Sequence, residues 1–74
     1  MNTKFESLVT CRGFIVDDKP NKLRFMQDYN DCWIQKENIR KIEPIEKTSE
    51  GYTYALITVQ EELANALELE GVLE

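Results

Sequence analysis

The sequence predicts a mainly β domain of the α+β class. It is expected to be a small, strongly bent antiparallel barrel of five strands with one C-terminal α-helix at about 59–70. Three observations predict it. Turn signals recur about every eight to twelve residues, too closely for a parallel sheet with crossover helices. The segments between them alternate apolar and polar residues with a period of two. A helical period with a capping signal appears only once, after Thr58.

Residues 4–17 read as one long strand. Phe5, Val9, Cys11 and Ile15 share a parity, and Leu8, Phe14 and Val16 share the other. Apolar residues on both faces suit a strand that curves from one layer into the next. Gly13, inside it, marks an expected bulge or bend. The competing reading is a short helix over residues 3–10.

Asp17-Asp18-Lys19-Pro20-Asn21 is a loop, because Asp, Pro and Asn each favour turns. Lys22 to Gln27 is the second strand, with Leu23 and Phe25 on one face and Arg24 and Met26 on the other. Asp28-Tyr29-Asn30-Asp31 closes a hairpin, with Asn30 as the pivot because it takes positive φ cheaply. The return strand, Cys32 to Gln35, is expected to lie beside Phe25 or Met26.

Lys36-Glu37-Asn38 forms a tight turn, and Ile39, Ile42 and Ile45 mark a strand over 39–46. Pro44 has no N–H and belongs on a sheet edge or a strand end. After the polar turn 47–51, Tyr52 to Ile57 is the last strand. Tyr52, Tyr54 and Leu56 lie on one face, Thr53, Ala55 and Ile57 on the other.

Thr58-Val59-Gln60-Glu61 is a capping box, a hydroxyl N-cap with Glu three residues on. Leu63, Ala66 and Leu67 then make a narrow apolar stripe. Glu61 and Glu62 complement the helix dipole, and Gly71 is the natural stop. The helix should cover one open end or edge of the barrel. Leu73-Glu74 has the look of a cloning remnant.

Bulk properties set limits on function. A chain of 74 residues is one domain, and at that size only about 60% of the unfolded surface is buried. The apolar runs are too short to span a bilayer, and Lys4 and Glu6 interrupt any signal-peptide core, so a cytoplasmic setting is expected. Cys11 and Cys32 have no metal-ligand spacing and are expected to be free, buried thiols. The net charge of −5 is uneven: from Ser49 onward there is no Lys or Arg, only Glu. That is either a solvated helix face or an acidic patch for a basic partner.

Trp33-Ile34-Gln35-Lys36-Glu37-Asn38-Ile39 resembles a motif of small phage and prophage proteins, Trp-Ile-Pro-Lys-Ser-x-Ile. In that motif a hairpin ends at the tryptophan, and a final strand leads into a short helix. Gln35 stands where the motif has proline, and Glu37-Asn38 replaces its serine step. The resemblance implies an SH3-like barrel and a mobile-element origin. It carries no catalytic residue to this chain.

Catalysis is not expected. The chain has no histidine, no glycine-rich phosphate loop and no carboxylate pair set in a cleft. No catalytic residue, metal site or cofactor is assigned. A non-enzymatic protein-binding module is the leading expectation. Its candidate residues are Tyr29 and Trp33 on the hairpin and Glu61, Glu62 and Glu68 on the helix, facing a protein partner with a basic surface. The resemblance adds a setting, a small phage-encoded protein that binds and inhibits a host defence protein. For Trp33 the competing reading is packing within the barrel. Two alternatives stay open. One is a nucleic-acid-binding barrel using Lys22, Arg24, Trp33, Lys36 and Arg40, against which the net charge counts. The other is self-assembly through an edge strand.

Overall fold

The computed structural model describes residues 7–28 and 30–72. Phe5, Tyr29, Leu73 and Glu74 therefore lie outside the described residues, as does the start of the strand expected over 4–17. Five antiparallel strands form one sheet, followed by a short helix. The strands are β1 (Leu8–Asp18), β2 (Lys22–Gln27), β3 (Asn30–Gln35), β4 (Ile39–Lys47) and β5 (Thr53–Gln60). The helix is α1 (Glu61–Ala66), and a 3₁₀ turn at Lys36–Asn38 joins β3 to β4.

The strand order is β3-β2-β1-β5-β4. The first three strands form a meander, and β5 returns to pair with β1 along eight residues, from Leu8 opposite Gln60 to Ile15 opposite Thr53. β3 and β4 are thus the two edges, although only the 3₁₀ turn separates them in sequence. Pro44 sits on an edge, as its missing N–H requires.

Period-two alternation selects the core. Cys11, Leu23, Phe25, Ile34, Ala55, Ile57 and Val59 are each at most 1% exposed and point to one side of the sheet. Cross-strand pairs match them: Phe25 faces Cys32 and Ile15, Leu23 faces Ile34, and Ile57 faces Cys11 and Ile42. From α1 and the segment after it, Ala64 and Leu69 join this cluster, with Leu63 and Leu67 packed against it. Both cysteines are free, Cys11 buried and Cys32 half-buried.

Several boundaries differ from expectation, for one physical reason. Thr58 is not an N-cap. It lies in β5, and its hydroxyl meets that of Thr10 at 3.2 Å. The β1–β5 ladder runs on to Gln60 and takes residues 58–60 into the strand, where Val59 extends the buried series Ala55, Ile57. Gln60 is the N-cap and makes no side-chain capping bond. The first N–H of the helix, that of Glu61, instead donates to the Ser7 carbonyl at 2.8 Å. Of the expected stripe, Leu63 and Leu67 pack against the core, but Ala66 is exposed and Ala64 is buried in its place.

The helix also stops before Gly71. Glu68 takes φ +59, the Leu69 N–H reaches the Ala64 carbonyl at 2.8 Å, and the Glu68 N–H reaches Asn65 at 3.1 Å. This is a Schellman cap with glutamate in the left-handed position, closed by apolar contact of Leu69 with Ala64. Gly71 instead bridges Cys11, and the Val72 N–H donates to the Thr10 carbonyl at 2.7 Å.

Two more expectations shift. Asn30 is not the pivot of the hairpin turn but the first residue of β3, opposite Gln27. The irregularity in β1 falls at Val16, between Ile15 and Asp17, not at Gly13. Gly13 stays in register with Ala55 and is small for another reason. A Cβ there would lie 2.6 Å from both the Phe25 ring and the Met26 carbonyl oxygen.

Candidate interaction face

The alternation that turns the core residues inward turns their neighbours outward. The ladder registers then line these neighbours up. Asp31, Met26, Phe14, Tyr54 and Glu46 form one row across all five strands. Trp33, Arg24 and Asp17 form the adjacent row. Tyr52, two residues before Tyr54 in sequence, belongs to the same side. Phe14 and Tyr54 pack with ring centroids 5.1 Å apart, tilted by 46°. Phe14, Met26 and Tyr54 remain half-buried, while Trp33 is 39% and Tyr52 38% exposed. α1 lies on the opposite, core side, so among the described elements none covers the aromatic band of the outer face.

Charges punctuate this band in pairs. The Arg24 Nε donates to Asp31 Oδ1 at 2.7 Å, and its Nη2 donates to Oδ2, a bidentate bond. That bond holds the Asp31 carboxyl below the usual range and raises Arg24 further. Lys22 and Lys19 place their ammonium groups 4.9 Å and 5.9 Å from the Trp33 ring centroid. Lys19 also approaches Asp17 at 4.0 Å, and Lys36 is ion-paired with Asp18. The cations around Trp33 are therefore interleaved with carboxylates.

The structure groups some of the expected residues and separates others. Lys22, Arg24 and Trp33 come together on the outer face. Lys36 turns toward Asp18 beside the 3₁₀ turn. Arg40 lies on the other edge strand, where its guanidinium donates to the Glu37 carbonyl at 3.2 Å. The five expected nucleic-acid residues do not form one patch. Glu61 and Glu62 are exposed on the first turn of α1, and Glu68 is exposed at its C-terminal cap. Trp33 and these carboxylates occupy opposite sides of the sheet. The packing expected for Trp33 is not observed, since it points away from the core.

Phe14 and Met26 escaped the sequence reading as interface residues. For Phe14 the signal was present as apolar residues on both parities of β1, and it was read as curvature.

A second concavity lies on the core side. Ile42 faces inward yet is 39% exposed, because no described element covers the inner face of β4 there. With Ile15, Leu23 and Pro44 it floors a cleft of about 490 Å³, rimmed by Asp17, Asp18, Lys36 and Lys47. The cysteines do not form a reactive site. Burial raises the Cys11 thiol, with a smaller push from Cys32, and burial raises Cys32 itself. Both are held as thiols rather than nucleophilic thiolates. Among the described residues no group of three or more His, Cys, Asp or Glu is placed to hold a metal ion, and no helix is long and apolar enough to cross a membrane.

No protein-family model, no curated protein and no solved structure matches this chain.

Proposed function

We propose that the chain is a non-enzymatic protein-binding module whose contact surface is the outer aromatic face around Trp33. The observation that carries this reading is the composition of that face. Trp33, Tyr52, Tyr54, Met26 and Arg24 are the residue types concentrated in the energetic centres of protein interfaces. Binding would remove from water an apolar surface that no other described element covers. The Arg24–Asp31 pair is prepaid order, since its two side chains are already fixed to each other.

The carboxylates of Glu61, Glu62 and Glu68 act at longer range. They give the helix side a negative field that draws in a partner with a basic surface. In the setting that the tryptophan motif implies, that partner is a host protein inhibited by a small phage-encoded one. The fold that accompanies this reading is an SH3-like, partly closed barrel. Its support is the 3₁₀ turn, which joins the two edge strands through three residues.

The nucleic-acid alternative is weaker on electrostatics. Backbone binding needs net positive local potential. Around Trp33, Asp17, Asp18 and Asp31 offset Lys19, Lys36 and Arg24.

The test is retention of a partner from host lysate by the tagged chain, with and without nuclease and at two salt concentrations. A protein retained after nuclease, and lost on Trp33→Ala, is the expected result. Partners lost with nuclease treatment would move the function to nucleic acid. The triple variant Glu61→Gln, Glu62→Gln, Glu68→Gln is expected to slow association and to flatten its salt dependence. Unchanged kinetics would remove the electrostatic part of the proposal.

A further inference from the structure

The two edges of the sheet are protected very differently. β4 carries the devices that prevent edge pairing: Pro44, irregularities in register at Arg40 and Ile45, and the charges of Arg40, Lys41, Glu43, Glu46 and Lys47. β3, Asn-Asp-Cys-Trp-Ile-Gln, has no proline, no bulge and no lysine. Its register with β2 is unbroken from Gln27–Asn30 to Lys22–Gln35. Its one charge, Asp31, is already bound by Arg24.

The hairpin fixes which backbone groups that edge presents. Only residues 28 and 29 connect β2 to β3, so the closing pair Gln27–Asn30 must exchange both backbone hydrogen bonds. The pairs Phe25–Cys32 and Leu23–Ile34 follow in phase. The N–H and C=O groups of Asp31 and Trp33 and the N–H of Gln35 consequently point to the free edge, while the Gln35 carbonyl accepts the first bond of the 3₁₀ turn. No other described strand pairs with that edge.

That edge is self-complementary. We propose that β3 pairs antiparallel with β3 of a second copy of this chain, about a two-fold axis at Trp33. In this register Trp33 faces its own copy, and Asp31 faces Gln35 of the partner subunit. The Trp33 pair exchanges two bonds, and on either side of it the Gln35 N–H donates to the backbone carbonyl of Asp31 of the partner subunit. On the core side Cys32 meets Ile34 of the partner subunit. On the outer side the two tryptophans form a cross-strand aromatic pair. No like charges meet, and the two outer faces become one continuous surface. The interface is isologous, so it closes at the dimer rather than growing into a filament. It stands independently of whether that surface binds another protein.

The experiment is sedimentation equilibrium of the full chain across a wide range of concentration, beside amide hydrogen exchange. The expected result is a concentration-dependent rise from 8.7 kDa toward twice that mass, with protection gained at Trp33 and Gln35. Gln35→Pro tests the register without harming the fold. Gln35 already has φ −66, the proline value, and its N–H points outward. It should weaken association by about tenfold, through lost inter-subunit bonds. Trp33→Lys, which sets like charges on the axis, should abolish it. A mass independent of concentration would overturn the proposal. So would a dimer that both variants leave unchanged, or a monomer whose β3 amides become protected only when an extended peptide is added.

Discussion

Gln27 and Glu70 pair as neighbouring strand residues do, with a side chain standing in for one backbone. The Glu70 N–H donates to Gln27 Oε1 at 2.8 Å, and Gln27 Nε2 donates back to the Glu70 carbonyl at 2.9 Å. The same Nε2 donates to the Arg12 carbonyl at 3.0 Å. β2 ends at Gln27, so its ladder with β1 reaches only as far as Phe14. Beyond that point the C-terminal segment takes its place, clamped by this one amide and by Asn30, which donates to the Leu67 and Glu68 carbonyls.

Removing the clamp should loosen that segment before it unfolds the sheet. Gln27→Ala is expected to cost about 1–2 kcal/mol, because three hydrogen bonds go while their partners stay accessible to water. Gln27→Glu should be no better, since a carboxylate cannot donate to two carbonyls. Urea denaturation gives the loss. Hydrogen exchange at Leu69, Glu70 and Val72 should accelerate more than exchange in β5.

Gly13 tests the packing of the sheet against itself. Gly13→Ala would place its methyl 2.6 Å from the Phe25 ring and from the Met26 carbonyl. Phe25 is wholly buried and the carbonyl is backbone, so neither can move cheaply. The expected destabilisation is about 2–3 kcal/mol by chemical denaturation. A neutral result would show that β2 shifts readily against β1.

Glu68 is the one described non-glycine residue with positive φ. Glu68→Gly is expected to stabilise the fold by about 0.5–1 kcal/mol, because glycine adopts the left-handed region without steric cost. The gain should appear as a higher denaturation midpoint with unchanged m-value. It should disappear if the Schellman cap does not form in solution.

The thiols set an alkaline limit. Burial raises Cys11 and Cys32 above their unfolded value of about 8.5. The folded chain therefore holds these protons more tightly than the unfolded chain does. That contribution is fully present below about pH 8.5 and is lost as pH rises through the folded values. The denaturation midpoint should fall as pH rises above about 8.5, and Cys11→Ala should flatten the fall. At neutral pH, alkylation of Cys11 should be slow until the chain is unfolded.

Much of the strand layout was readable from local chemistry. Lys22–Gln27 coincides with its expected bounds, the shared face of Tyr52, Tyr54 and Leu56 was explicit, and Pro44 pointed to an edge or a strand end. Residues 58–60 were not readable in the same way. Thr58 and Glu61 satisfy a capping box locally, while the β1–β5 ladder offers Thr58, Val59 and Gln60 strand partners from Leu8 to Thr10. A local signal worth about 1 kcal/mol lost to backbone pairing and to burial of Val59. The interaction face was half legible. Trp33, Lys22 and Arg24 were singled out, but Phe14 and Met26 joined them only through cross-strand register.

What the sequence alone determined is the alternation: which residues of each strand share a side. That information is local, because successive side chains on a strand point to opposite faces. Tertiary structure decided the rest. It set where β5 ends and α1 begins, and it handed the work of a strand to the Gln27 side chain. It also left Trp33 outside while Phe25 went in. These outcomes depend on which backbone donors meet which acceptors across the chain. That matching is settled by pairing between residues far apart in sequence, where no local period can report it.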